Sequence, residues 1–135
     1  MGSALACYQK SLDIRKNILK RYRSNEAVFD CALTLYYMAQ CYELLIEKAE
    51  QMSALEEVIA LLSPILTSDR KTDWHRIYAE AAFDRFKIDT FSGKAYLQYA
   101  IQGWEWLCQY NPTVDGYRKK LEICRRMYKR CYPGE

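Results

Sequence analysis

The sequence predicts an all-α fold: about six antiparallel helices, stacked as helical hairpins. Three observations carry this. Glycine and proline are scarce, at 5 and 3 of 135 residues, so little interrupts a long helix. No segment alternates Val, Ile or Thr with polar residues, as a half-buried strand requires. The stretch Leu35-Tyr36-Tyr37-Met38-Ala39-Gln40-Cys41-Tyr42 places Leu35, Met38, Ala39 and Tyr42 on one helix face. Large, large, small, large at that spacing predicts a helix drawn close to a neighbour at Ala39, with the others packed around it. The length suits one domain with its own core. Half the residues are apolar, which argues against disorder.

The elements follow in order. Met1-Gly2-Ser3 resembles an expression leader, so one domain is expected over residues 4–135, as a piece of a longer solenoid. Helix one is expected from Ala4 to Tyr22, with Leu5, Tyr8, Leu12, Leu19 and Tyr22 as its apolar stripe. Ser24 or Asn25 caps helix two, expected over Glu26 to Glu47. The polar segment Glu47 to Met52 is expected to hold the next turn. Ser53, with Glu56 three residues on, forms a capping-box pattern for helix three. That helix continues toward Leu66, with Pro64 near its end. Thr72 or Asp73 caps helix four, Trp74 to Ile88. Helix five, Gly93 to Tyr110, is apolar around much of its circumference, so cover on more than one side is expected. Gly103 in its middle costs helix stability and predicts close backbone packing. Asn111-Pro112 ends it. Helix six, Val114 to Tyr132, has a narrow seam of Tyr117, Leu121, Cys124, Tyr128 and Cys131 within a basic surface. A closed bundle is the alternative to stacked hairpins.

Six cysteines, Cys7, Cys31, Cys41, Cys108, Cys124 and Cys131, all fall in expected helices and none forms C-x-x-C. They read as reduced, buried small hydrophobes rather than a disulfide framework. His75 is the one histidine and has no nearby cysteine pair, so no metal is expected. At the start of a helix it is expected as a surface or capping residue. No apolar run approaches the roughly 18 to 20 residues of a membrane span, and no export signal opens the chain. A cytoplasmic location and no membrane partner are therefore expected.

The net charge is +3, unevenly spread. The first 23 residues are basic, residues 24–63 are acidic, and helix six carries Arg118, Lys119, Lys120, Arg125, Arg126, Lys129 and Arg130. That basic face suits nucleic acid or an acidic partner, or is a solvated outer face. Single-strand binders interleave aromatics on such a face. Here the tyrosines sit on the seam, so nucleic acid is not the expected partner. No G-x-x-x-x-G-K loop is present, and nothing in the spacing of Asp73 and His75 supports a hydrolytic set. No enzyme activity and no cofactor are expected.

Several motifs resemble the tetratricopeptide repeat family. Its signature is W-x2-L-G-x2-Y, then A-x3-F and a later proline, at about 34 residues per repeat. Leu35-x2-Met38-Ala39-x2-Tyr42 is similar in kind to the first part. Ala100-x3-Trp104, with Pro112 after it, is similar to the second, and Ala4-x3-Tyr8-x2-Ser11 looks like another second-helix fragment. Arg85 stands where the pattern places an aromatic. The resemblance implies a short right-handed superhelix with a groove lined by alternate helices. It implies a non-catalytic scaffold for a protein or peptide partner. The groove residues would be Leu33, Tyr36, Gln40 and Glu43 of helix two, then Arg76, Ala79, Phe83 and Phe86 of helix four. Family members that clamp a C-terminal carboxylate use Lys, Arg and Asn there, and Leu33, Tyr36 and Glu43 do not form that clamp. An apolar or aromatic segment, or one carrying a positive group near Glu43, is the expected ligand. Self-association, acidic middle against basic end or start, is the further expectation.

Overall fold

The computed structural model describes residues 2–67 and 71–134 and is all-α among them. The helices are α1 (Gly2–Arg21), α2 (Asn25–Leu44), α3 (Lys48–Leu62), α4 (Thr72–Ile88), α5 (Lys94–Tyr110) and α6 (Asp115–Cys131). Contacts concentrate in two units, Met1–Arg70 and Lys71–Glu135, each with three helices packed in chain order.

In the first unit α2 is central and packs against both α1 and α3. Leu35, Met38 and Ala39 are buried as the sequence predicts, and Tyr42 is half-buried. Ser24 caps α2, its Oγ accepting from the Ala27 N–H at 3.1 Å. The rings of Tyr8 and Tyr37 lie 5.7 Å apart, pairing the start of α1 with the later part of α2, so the two run antiparallel. Leu12 anchors the buried face of α1, while Tyr22, expected on its apolar stripe, is exposed.

The turn into α3 corrects the sequence expectation. The helix begins at Lys48, so Ser53 lies inside it and the polar run Glu47 to Met52 is mostly helical. The chain reverses over residues 45–47 instead. The Glu47 N–H donates to the Tyr42 carbonyl at 2.9 Å, and the Ile46 N–H to the Glu43 carbonyl at 3.1 Å. These are the two bonds of a Schellman C-cap, which places Ile46 in the left-handed region at φ 58°. That site favours glycine, and a β-branched residue there costs about 1–2 kcal/mol. No glycine marks the turn, so the sequence hides it.

In the second unit α5 lies between α4 and α6, as its apolar circumference predicts. Gly103 is the point of closest approach: a Cβ there would stand 2.8 Å from Ala79 Cβ. Leu97, Ala100, Trp104 and Leu107 fill the core beside it with Phe86. His75 is another correction. It is buried rather than superficial, its ring stacked on Trp106 at 3.5 Å between centroids. No side chain caps α4; Lys71 occupies the cap position, not Thr72 or Asp73. Arg85 is buried too, its guanidinium 4.6 Å from the centre of the Tyr96 ring and donating to Ser92 Oγ at 3.1 Å. It fills an aromatic's place by stacking on one. The α6 seam buries Leu121 and Cys124 and half-buries Tyr117 and Tyr128, but leaves Cys131 exposed. All six cysteines are free thiols, and Cys31, Cys41 and Cys124 are buried.

Candidate cleft between helices α4 and α6

Within the second unit, α4 and α6 flank a cleft with Trp104 of α5 between them. Its volume is about 210 Å³. Phe83, Ile123, Cys124 and Trp104 supply apolar lining, and Glu80, Asp84, Lys87 and Lys120 the polar lining. Lys120 pairs with Glu80 and stands 4.9 Å from the centre of the Trp104 ring. Lys87 Nζ lies 3.5 Å from Asp84 Oδ1 and 4.9 Å from the centre of the Phe83 ring. Two carboxylates meet two ammonium groups, so the lining carries no formal net charge. Burial, aided by the Glu80 charge, pushes the Cys124 thiol up to about 11, so it is an uncharged wall at neutral pH. Trp104 Nε1 is buried and has no hydrogen-bond acceptor among the described residues.

Helical period explains why these residues converge. Arg76, Glu80, Phe83 and Lys87 follow a four-three-four spacing and share the solvent-facing stripe of α4. In the first unit Leu33, Tyr37, Gln40 and Leu44 repeat that spacing on α2, half-buried or exposed throughout. The sequence-derived groove used three-four-three spacing, which turns the stripe by roughly 50° toward the core. Leu33, Gln40, Arg76 and Phe83 belong to both sets. Tyr36 is buried, with its ring 6.4 Å from that of Tyr37, while Tyr37 is the exposed one. Phe86 and Ala79 are fully buried and present no surface to a ligand. Glu43 is exposed at the end of α2. Tyr37, Leu44, Glu80 and Lys87 are absent from the sequence-derived set, and a four-three-four spacing from Leu33 and Arg76 finds them. Asp84, Trp104, Ile123 and Cys124 of the cleft are absent too, and only the packing of α4, α5 and α6 brings them together.

The seven basic residues of α6, Arg118, Lys119, Lys120, Arg125, Arg126, Lys129 and Arg130, are all exposed. Two are engaged with acidic residues of the same unit: Lys120 with Glu80, and Arg125 with Glu105 at 2.7 Å. Among the described residues no group of three or more His, Cys, Asp or Glu side chains converges as a metal site. None of the described helices is long and apolar enough to cross a membrane.

No family model matches the sequence, and comparison with curated proteins and with solved structures finds no match either.

Proposed function

We propose that this chain is a non-catalytic helical-repeat scaffold of tetratricopeptide type, whose second unit binds a short segment of a partner protein in the α4–α6 cleft. The carrying observation is the cleft itself: Phe83, Ile123 and Trp104 line it, with charges that neutralise one another in pairs. At about 210 Å³ it falls below the roughly 300–1,000 Å³ of pockets that enclose whole small molecules. It suits one apolar side chain anchored from an otherwise exposed segment, the mode by which helical grooves take peptides. The paired charges favour an anchor that is itself uncharged. Lys120 and Lys87 cover the Trp104 and Phe83 rings, so a ligand that displaces them uncovers two aromatic faces.

The test is a peptide library panned against the protein and against Ile123→Glu. Ile123 is an exposed cleft residue, so the fold tolerates the change. Enriched sequences should share an aliphatic or aromatic anchor and bind Ile123→Glu at least about tenfold more weakly, which is 1.4 kcal/mol. Equal recovery by both proteins rejects the cleft as the binding site.

A further inference from the structure

Three consecutive apolar residues, Leu44, Leu45 and Ile46, stand in solvent at the α2–α3 corner. Leu44 is 68% exposed and Ile46 79%. The exposed part of such a run adds nothing to the core, and an exposed run of three apolar residues is unfavourable unless something covers it. Ile46 even opposes the fold, holding a left-handed backbone that glycine would adopt freely. The corner is acidic on balance: Glu43, Glu47 and Glu50 are exposed beside a single base, Lys48, and none of the three carboxylates forms an ion pair among the described residues.

A matching surface lies on α1. Ile14, Ile18 and Tyr22, spaced by four, are exposed, with Ile14 at 61% and Tyr22 at 76%. With Asn17 and Arg21 they line a shallow hollow of about 350 Å³. Its charge is opposite. Arg21 is in the lining, Lys10 stands one turn before Ile14 on the same face, and Arg23 follows Tyr22 in the chain; all three are exposed and without an ion pair among the described residues. Lys16, by contrast, is held by Glu57 at 3.0 Å.

The two surfaces cannot meet within one chain. Because α1 and α2 are antiparallel, the hollow near Tyr22 and the corner at Ile46 lie at opposite ends of α2. Twenty residues of helix separate those ends by about 30 Å. We propose that the Leu44–Ile46 corner of one copy seats in the α1 hollow of a second copy, Glu43 and Glu47 facing Arg21 and its basic neighbours. The contact is heterologous: the copy that gives its corner keeps a free hollow, the copy that gives its hollow keeps a free corner, and association continues beyond the dimer. Apolar insertion supplies the attraction and opposite charge the register, so the contact weakens as salt rises.

Sedimentation velocity of the full chain over a concentration series at low salt tests this. The wild-type weight-average mass should climb past that of a dimer and fall on addition of about 0.5 M salt. Ile46→Gly should stay monomeric while its thermal midpoint rises, a pairing that misfolding cannot produce. Arg21→Glu should also stay monomeric. Mixed, these two variants retain one intact hollow and one intact corner between them, so the mixture should form dimers and stop there. A wild type that remains monomeric at about 1 mM overturns the proposal. So does an Ile46→Gly variant that associates like wild type, or a mixture that stays monomeric. All these substitutions lie outside the α4–α6 cleft, so peptide binding there is decided separately.

Discussion

Single residues decide how tightly the helices approach and what the turns cost. Gly103 is the sharpest case, because a methyl group there would meet Ala79 Cβ at 2.8 Å. Gly103→Ala gains helix propensity of about 1 kcal/mol but overpacks a fully buried contact, at a cost of about 1–3 kcal/mol. The net should be a destabilised protein. Adding Ala79→Gly should recover part of the loss, a coupling readable in a double-mutant cycle by urea denaturation. Simple additivity would mean that the helices part easily at this point. Ile46→Gly has the opposite sign: relief of the left-handed backbone should add about 1 kcal/mol. Cys124 contributes a pH dependence on the alkaline side, in the same direction as Cys31, whose thiol is also pushed up by burial. The Cys124 thiol pKa is raised to about 11 in the folded chain, so its contribution is whole below the ordinary thiol value of 9.0 and fades as pH climbs toward 11. Relative to Cys124→Ala, the wild type should lose on the order of 2 kcal/mol across that interval. A constant difference between the two would remove Cys124 as the cause.

At the scale of elements, the helices were legible because periodicity and punctuation agreed. Ser24, Asn111-Pro112 and the α6 seam from Tyr117 to Tyr128 each mark a boundary or face that the structure keeps; Cys131, the seam's last member, is exposed. Gly103 marked a close approach in advance, though not that its partner is Ala79 of α4. The α2–α3 turn was illegible because Ile46 occupies a glycine's place, and the Ser53 capping pattern inside α3 competed with it. His75 was illegible because its burial depends on Trp106, which lies 31 positions along the chain on another helix. The stripe facing solvent on α2 and α4 was half legible: composition named the helices, but a one-position error in register exchanged Tyr37 for Tyr36. Only packing against a neighbour fixes that register, because tyrosine serves core and surface equally. The α6 seam makes a prediction of its own. Leu121→Ala should destabilise by about 2–3 kcal/mol, whereas charge reversal at the exposed Lys119 should change stability by less than about 0.5 kcal/mol. Comparable losses at both positions would mean that the basic face is not merely solvated.

The whole molecule consists of two three-helix units, each with a continuous core of its own. All three tryptophans, Trp74, Trp104 and Trp106, belong to the second unit, and two of the three buried cysteines, Cys31 and Cys41, to the first. Tryptophan emission therefore reports the second unit alone, while thiol protection at Cys31 and Cys41 reports the first. A domain of about 60 residues is marginal but often folds alone, and this one has Trp104, Phe86, Leu97 and Leu107 almost wholly withdrawn from water. Residues 71–135 expressed alone should be helical by circular dichroism, with the blue-shifted emission of buried tryptophan. Urea should unfold them in one cooperative transition, with a slope near the low end of the roughly 1–3 kcal/mol/M seen for small proteins. The Ile123→Glu variant of this fragment should melt like its parent, since it alters the cleft and not the core. A fragment with solvent-exposed emission and a shallow, non-cooperative transition would show that the core around Gly103 and Trp104 does not suffice, and that stability of the second unit is drawn from the rest of the chain.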